Sequence, residues 1–373
     1  MDADAGLSSG MATITLRTRR EVTYEDYYPH GGGIRNQFLF MRLAWHQFES
    51  GDSVVVNALQ HCTVRDDEPH LDVCMQCPRC RANIGGLDCE ACGFRMSIRR
   101  GIVQALPPDR DMHYACFIKD YEHIRAAEGR GSESEEYYLG LPYKDASGRN
   151  SEQWHIRGRS YDYLIKHLLM QSSQAGLRRI LDLGAGNCWM SFRLALAGYR
   201  PFAVDLLTND YDGLGAAAHY QKRLPELFPR FQAEVARLPF QDEQFDAIIF
   251  NASFHYSEDY VVALREALRC ARKNAMVIIC DTPWYSDDDS GRQMVSERRA
   301  SFSERYGTAS DSIKSLEYLT NDRLRILEEQ LSIRWTIHSP HYGLKWAMRP
   351  LVAKLHTRRE PSRFRIYVTR KNS

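Results

Sequence analysis

The chain has 373 residues, of which 43% are hydrophobic and 26% charged, and its formal net charge is +1. That length exceeds what one hydrophobic core usually serves, so more than one domain is expected, and a near-neutral chain has no global field to recruit nucleic acid or an acidic membrane. No stretch approaches about 18 uninterrupted apolar residues, which argues against a membrane span.

Residues 1–20 read as a loose tail. It lacks a basic region followed by an apolar one, so no secretory signal is expected and the location is read as cytoplasmic. Residues 21–106 form an N-terminal region. In it "RNQFLFMRLAWHQF" reads as a helix and "DSVVVNAL" as a strand, but residues 11–72 suggest no function. The chain has ten cysteines, five of them within residues 74–92. Such local crowding points to metal binding rather than a disulfide framework.

The run "CPRCRANIGGLDCEACG" holds Cys77-x2-Cys80, then eight residues, then Cys89-x2-Cys92. Each C-x-x-C pair chelates one ion from a tight knuckle. Pro78 preorganises the first knuckle, Gly93 frees amides in the second, and Gly85-Gly86 turns the hairpin between them. Four thiolates suit a closed tetrahedral Zn²⁺ site with no open position for water, so a structural role is expected. Cys74 is a rival fourth ligand, and an iron–sulfur cluster is the rival metal group.

Residues 107–175 read as a mostly helical cap rich in aromatics. From 176 to 373 the pattern alternates. Apolar strand-like runs ("RRILDL", "RPFAVDL", "FDAIIF", "AMVIICD") are separated by helix-like segments at 187–197, about 213–223 and 258–272. The last of these is expected to end at Lys273-Asn274, with Asn274 in the left-handed position. Residues 283–319 interrupt as a lid insertion. "TNDRLRILEEQL" restarts the rhythm with Thr320 or Asn321 as N-cap, and "SIRWTIH" and "RFRIYVTR" supply two late strands around an insertion at 339–361. Alternating strands and helices imply a doubly wound, mostly parallel α/β sheet of Rossmann-like type with helices on both faces.

The chemistry centres on "RRILDLGAGNCWMSF", residues 178–192, a strand, a glycine turn and a helix. It lacks the G-x-x-x-x-G-K-[ST] pattern of a phosphate-cradling loop. A dinucleotide turn needs Gly or Ala at its third position, where this chain has the far larger Trp189. An adenosyl group carrying an amino acid remains. It needs a turn free of side chains and an acid at the next strand end for two ribose hydroxyls. Asp205 fits, 21 positions after Gly184.

"ILDLGAGNC", "AVDL", "RLPFQDEQFDAIIFNASFHY" and "ALREALRCARKNAMVIICD" together resemble the successive motifs of class I S-adenosylmethionine (SAM)-dependent methyltransferases. The resemblance implies that Gly184, Ala185 and Gly186 form the turn under the methionine part, braced by Asp182. Asp205 would take the ribose and Leu206 would pack on the adenine. Glu234 and Val235 stand at the adenine position before "LPF", and Asn251 ends the fourth strand beside the methyl group. It also implies a doubly wound sheet whose last strand is antiparallel. The run "CPRC…CEACGFRMSIRRGIVQALP" resembles the zinc ribbon, residues 73–106 here, that precedes the domain in large-subunit ribosomal RNA guanine methyltransferases. That ribbon tends to end in a histidine ligand, where this chain has Cys92.

The fourth strand runs into "NASFHY", which is similar to small-molecule methyltransferases of the ubiquinone-biosynthesis type. His255 and Tyr256 are the candidate catalytic residues. An unperturbed histidine, with a pKa near 6.5, suits general-base work. A role in packing the loop is the alternative. Arg157 is a candidate for the carboxylate of the cofactor or of the substrate. Asp287, Asp288 and Asp289 read as a solvated loop in preference to a Mg²⁺ site. Residues 345–373 hold nine Lys/Arg and one Glu, a feature that would suit RNA. The expected activity is methyl transfer from SAM to a small-molecule acceptor. An RNA base methyltransferase and a silent SAM-binding scaffold are its rivals, and the oligomeric state is open.

Overall fold

Nine strands form the main sheet of the computed structural model, which describes residues 72–170, 179–356 and 358–371. The tail, the helix and the strand expected within residues 1–71 lie outside the described residues. So does Cys62. In chain order, β1 (Met75–Gln76), β2 (Asn83–Ile84), β3 (Ser97–Arg99) and β4 (Ile102–Gln104) come first. The helices α1 (Pro108–Ala127), α2 (Glu135–Gly140) and α3 (Ser151–Tyr163) follow. An alternating stretch then runs through β5 (Arg179–Leu183), α4 (Trp189–Leu196), β6 (Arg200–Asp205), β7 (Arg230–Gln232), β8 (Phe245–Asn251), α5 (Tyr260–Cys270) and β9 (Ala271–Cys280). The chain continues with α6 (Asp288–Tyr306), α7 (Asn321–Leu331), β10 (Thr336–His338), α8 (Leu344–Leu355) and β11 (Ile366–Arg370).

The sheet order is β10-β11-β9-β8-β5-β6-β7-β4-β3. Strands β9, β8, β5, β6, β7 and β4 run parallel, and β11 pairs antiparallel with β9. The expected doubly wound Rossmann-like sheet with an antiparallel last strand is therefore what forms. Its inner strands β5, β6 and β8 are largely apolar because both faces are covered. Leu181, Leu183, Ile248, Phe250, Val277 and Ile279 feed one core, with α5 and α7. Ile180, Ala203, Ile249 and Ile278 feed the other, with α2, α3 and α4. Among the described residues no helix is long and apolar enough to cross a membrane.

One detail departs from the sequence reading. Helix α5 stops at Cys270, and the chain enters β9 at once. Asn274 does adopt a left-handed conformation (φ 63°), but inside β9, where the register shifts between Phe245 and Ala247. A bulge absorbs the extra residues that had read as a helix end. The helix-like segment near 213–223 forms as a 3₁₀ helix, Leu214–Arg223. The N-caps fall where short polar side chains stand. Asp259 accepts from Val261 N and Val262 N, and Thr320 accepts from Arg323 N.

The cysteine-rich segment is built into this frame. β3 and β4 extend the sheet beyond β7, and Cys77, Cys89, Phe94 and Met96 join the same core as Phe231 and Phe240. Arg81 pairs with buried Glu266 of α5 and donates to Ala236 O at 3.0 Å.

Candidate active site

At the carboxyl end of β5 the chain turns through Gly184 (φ 74°) and Gly186 (φ 52°). Gly184 N and Ala185 N both donate to Val204 O, at 2.8 and 3.0 Å. A Cβ on Gly184 would stand 2.2 Å from Ser253 Cβ, so only glycine fits. Asp205, at the end of β6, accepts Gly186 N on Oδ2 and Leu207 N on Oδ1, both at 2.8 Å. Asp182 is 1% exposed and accepts Ser191 Oγ at 2.7 Å, while its Oδ1 has no partner. Burial pushes Asp205 up to about 6, against the amides of Leu207 and Gly186. Burial likewise pushes Asp182 up to about 7, against its bond from Ser191.

These groups open on a cavity of about 310 Å³. Asp182, Gly184, Ala185, Gly186, Asp205 and Leu206 line it. So do Glu234, Val235, Asn251, Arg157 and Tyr256. Asn251 lies at the strand end, where its Oδ1 accepts Cys280 Sγ at 3.5 Å. The cavity is a space free of side chains over a glycine turn, beside a carboxylate with lone pairs to spare. That combination fits an adenosyl group with vicinal hydroxyls.

One wall was not read from the sequence. Tyr114, Phe117 and Tyr121 of α1 face the cavity, and Tyr114 and Phe117 pack with Leu206 and Ile313. Their spacing of three and four residues is a helical stripe, the signal that could have found them. Arg110, also on α1, grips Glu234 from Nε at 2.9 and 3.0 Å and from Nη2 at 2.8 Å. The Tyr114 hydroxyl adds a bond at 3.0 Å. Glu234, 2% exposed, thus joins α1 to the sheet. Trp189 is buried edge-to-face against Trp154 and Tyr161, filling the helix–sheet contact that a dinucleotide turn leaves to a small residue.

A second cavity of about 470 Å³ adjoins the first, and Tyr121, Arg125, Arg157, Ala252 and Tyr256 line both. His255 and Asp281 belong to the second. Burial, reinforced by the charges of Arg157 and Arg298, lowers His255 to about 3, and its Nδ1 has no partner. The ring stays neutral near pH 7, far from the poise of an efficient general base. Tyr256 packs edge-on against Tyr121, with ring centroids 5.6 Å apart. Arg157 lies over the Trp154 ring at 4.7 Å and has no carboxylate partner among the described residues. Burial and then the like charges of Arg130 and Arg125 draw it down to about 10. Over these cavities α1 meets the 283–319 insertion. Thr308 Oγ1 donates to Asp120 at 2.7 Å, and His123 Nε2 bonds Tyr306 O at 3.2 Å.

The four cysteines converge, and all four sulfur atoms lie within 4.8 Å of one another. Cys77 and Cys92 are 3.7 Å apart, and Cys80 and Cys89 are 3.5 Å apart. Four sulfurs about 2.3 Å from a tetrahedral ion stand about 3.8 Å apart, so the donor set fits Zn²⁺. The two knuckles are alike. Arg81 N donates to Cys77 O and Gly93 N to Cys89 O, with φ of 70° and 71° at the two donors. Burial pushes the Cys77 thiol up to about 12, so a cation is needed to hold thiolate there. Cys74 stands outside the cluster.

The three aspartates expected in a solvated loop instead start α6. Asp287 caps α6 by accepting Ser290 N at 2.7 Å, and Asp288 and Asp289 both pair with Arg292. Part of the basic tail is likewise paired. Arg359 pairs with Glu297, Arg363 with Glu360 and Lys371 with Glu243, while Arg365 lies over Trp284.

Residues 181–279 match the family described as a methyltransferase domain. A demethylmenaquinone methyltransferase of Mycobacterium marinum is 30% identical over 103 residues, 28% of this chain and 41% of that protein. One of Streptomyces griseus is 32% identical over 104 residues, 28% of this chain and 42% of that protein. The chain thus spans about two fifths of the length of these curated relatives. Among solved structures, the plantazolicin methyltransferase BpumL in complex with SAH is 14% identical, with a TM-score of 0.40, over 68% of this chain and 100% of that one. YcgJ of Bacillus subtilis is also 14% identical, with a TM-score of 0.40, over 55% and 97%. With the glycine turn, Asp205 and the doubly wound sheet in place, the chain carries a class I SAM-dependent methyltransferase domain.

Proposed function

We propose that this chain transfers a methyl group from SAM to a small-molecule acceptor bound beneath the α1–α6 lid, and that Cys77, Cys80, Cys89 and Cys92 hold a structural Zn²⁺. The observation that carries the reading is the continuity of the two cavities. The first ends in the glycine turn and Asp205, and the second opens from it past Tyr121, Ala252 and Tyr256. The relatives named as demethylmenaquinone methyltransferases agree with a small-molecule acceptor. Arg359, Arg363 and Lys371 of the basic tail are matched by carboxylates, which leaves less free charge there to track a phosphate backbone.

Bound SAM supplies an electrophilic methyl group on sulfur. The Gly184–Gly186 backbone would cradle its methionine part, and Asp205 would accept its ribose hydroxyls. Leu206, Val235 and the Tyr114–Phe117 face would enclose its base. Arg157, on the wall shared by both cavities, would neutralise its carboxylate. Tyr256 and Asn251 would position the acceptor, and neutral His255 would orient that loop. With a base of such low basicity, alignment and the exclusion of water by the lid carry the rate.

The test is incubation of the full chain with methyl-labelled SAM and two pools, total RNA and a small-metabolite extract. Label in the metabolite fraction supports the reading, and label in RNA overturns it. Cofactor binding without label in either pool would point to a silent scaffold.

A further inference from the structure

The second cavity is lined by five arginines, Arg125, Arg130, Arg157, Arg298 and Arg349, against three acids, Glu128, Glu152 and Asp281. Some of this charge is internally matched. Arg125 pairs with Asp212, Arg130 with Glu128 at 3.1 Å, and Arg298 with Glu317 at 2.7 Å. Arg349 has no carboxylate within ion-pair distance among the described residues. It lies over the Trp346 ring at 3.8 Å and reaches Ser362 O at 3.4 Å. Two donors at this wall are buried without any acceptor, Arg130 Nη1 and Arg298 Nε. Arg130 is only 6% exposed. A buried guanidinium N–H without an acceptor costs free energy unless a ligand supplies one.

The titration behaviour of two neighbours is consistent with a positive interior. His255 is depressed by burial and then by Arg157 and Arg298. Arg157 is depressed by burial and then by Arg130 and Arg125. The remaining wall is apolar, with Phe302, Trp346 and Phe364, of which the last two stack at 5.3 Å. A volume of about 470 Å³ suits a small molecule of modest size.

We propose that the methyl acceptor carries an anionic group, a carboxylate or phosphate on an apolar or aromatic body, held by Arg298 of the lid helix α6 and Arg349 of α8. This rests on the reading of the first cavity as the SAM site, which leaves Arg157 to the cofactor. Guanidinium groups match both anions with paired N–H donors. Because Arg298 belongs to the lid insertion, an anionic acceptor would also draw the lid shut over the reacting atoms.

The experiment uses the full chain saturated with S-adenosylhomocysteine. Matched probes are titrated by calorimetry: 4-hydroxybenzoate against 4-hydroxybenzamide, and phenyl phosphate against phenol. Acids binding at least tenfold tighter than their neutral partners is the expected result. Arg298→Gln and Arg349→Gln should each weaken acid binding at least tenfold and leave S-adenosylhomocysteine affinity unchanged. Arg298→Lys should retain part of the binding, which separates lost charge from lost folding. Equal binding of acids and neutral partners overturns the proposal. So does failure of every acid to bind at millimolar concentration, or acid binding untouched in both glutamine variants. Failure of S-adenosylhomocysteine itself to bind would instead strike the underlying SAM reading.

Discussion

The Asp205 carboxylate accepts the Gly186 amide through Oδ2 and the Leu207 amide through Oδ1, both at 2.8 Å. The acid that would bind ribose therefore also fastens the glycine turn to the end of β6. In Asp205→Asn one of the two amides would face an NH₂ group, and the remaining acceptor is weaker. Affinity for S-adenosylhomocysteine should fall at least tenfold, about 1.4 kcal/mol or more by calorimetry. Unchanged affinity would remove Asp205 from the site.

Gly184→Ala tests the close approach of the turn to Ser253. The new Cβ would overlap Ser253 Cβ in a left-handed backbone, so strain and steric displacement add. A loss of about 2–3 kcal/mol in denaturant unfolding is expected, together with loss of cofactor binding. Gly198→Ala is the control for backbone strain alone, since its φ is 88° and nothing lies within 4 Å of a Cβ there.

Arg110→Met should be costly although Arg110 itself is not fully buried. It strips the bidentate partner from Glu234, leaving a carboxylate at 2% exposure with a tyrosine hydroxyl and Arg237 at 3.5 Å. We expect destabilisation of about 3 kcal/mol. Adding Glu234→Gln to it should recover part of the loss. No recovery would mean that Arg110 acts through packing on Tyr114 instead.

Cys77 and Cys89 share the core of the main sheet, so metal removal should not unfold the cysteine-rich segment alone. One zinc per chain is expected by elemental analysis. Chelation or Cys89→Ser should lower the single melting transition of this unit by roughly 5–10 °C, the effect of about 3 kcal/mol in a domain of this size. A separate early transition with the main one unmoved would contradict the shared core.

The two raised carboxylates set a pH dependence with opposite signs for folding and binding. Asp205 titrates near 6 and Asp182 near 7 in the folded chain, against about 3.9 unfolded. The folded state holds more protons in that window, so these two groups make the unliganded chain less stable as pH rises from about 4 to 7. Ribose binding through ionised Asp205 strengthens as pH rises through about 6. The rise in melting temperature produced by S-adenosylhomocysteine should therefore grow from about pH 5 to 7.5. A rise that is flat across that range would mean Asp205 does not hold the ribose.

The central motifs were legible because each rests on local chemistry. "RRILDLGAGNC" states its strand, turn and helix by apolar run, glycine and periodicity, and Asp205 stands at the one strand end where an acid follows such a turn. The cysteine pairs state their knuckles by spacing, with Gly93 at the left-handed position. The wall from α1 was missed because nothing near Tyr114, Phe117 and Tyr121 in the sequence shows which surface their stripe faces. His255 was given the poise of a free histidine, and its depression comes first from burial and then from Arg157 and Arg298, which are 98 and 43 positions away.

By itself the sequence determined that the chain builds a doubly wound sheet with a side-chain-free turn and a four-cysteine cluster. These depend on residues within a few positions of one another, whose conformational preferences act before the chain collapses. Only the tertiary structure decided that the β3–β4 hairpin following the cysteines extends that sheet, because pairing of β4 to β7 bridges more than a hundred residues. It alone decided that Glu234 belongs to Arg110 and that five arginines meet around one cavity. Burial and charge are sums over neighbours in space, and those neighbours are assembled only when the distant helices pack.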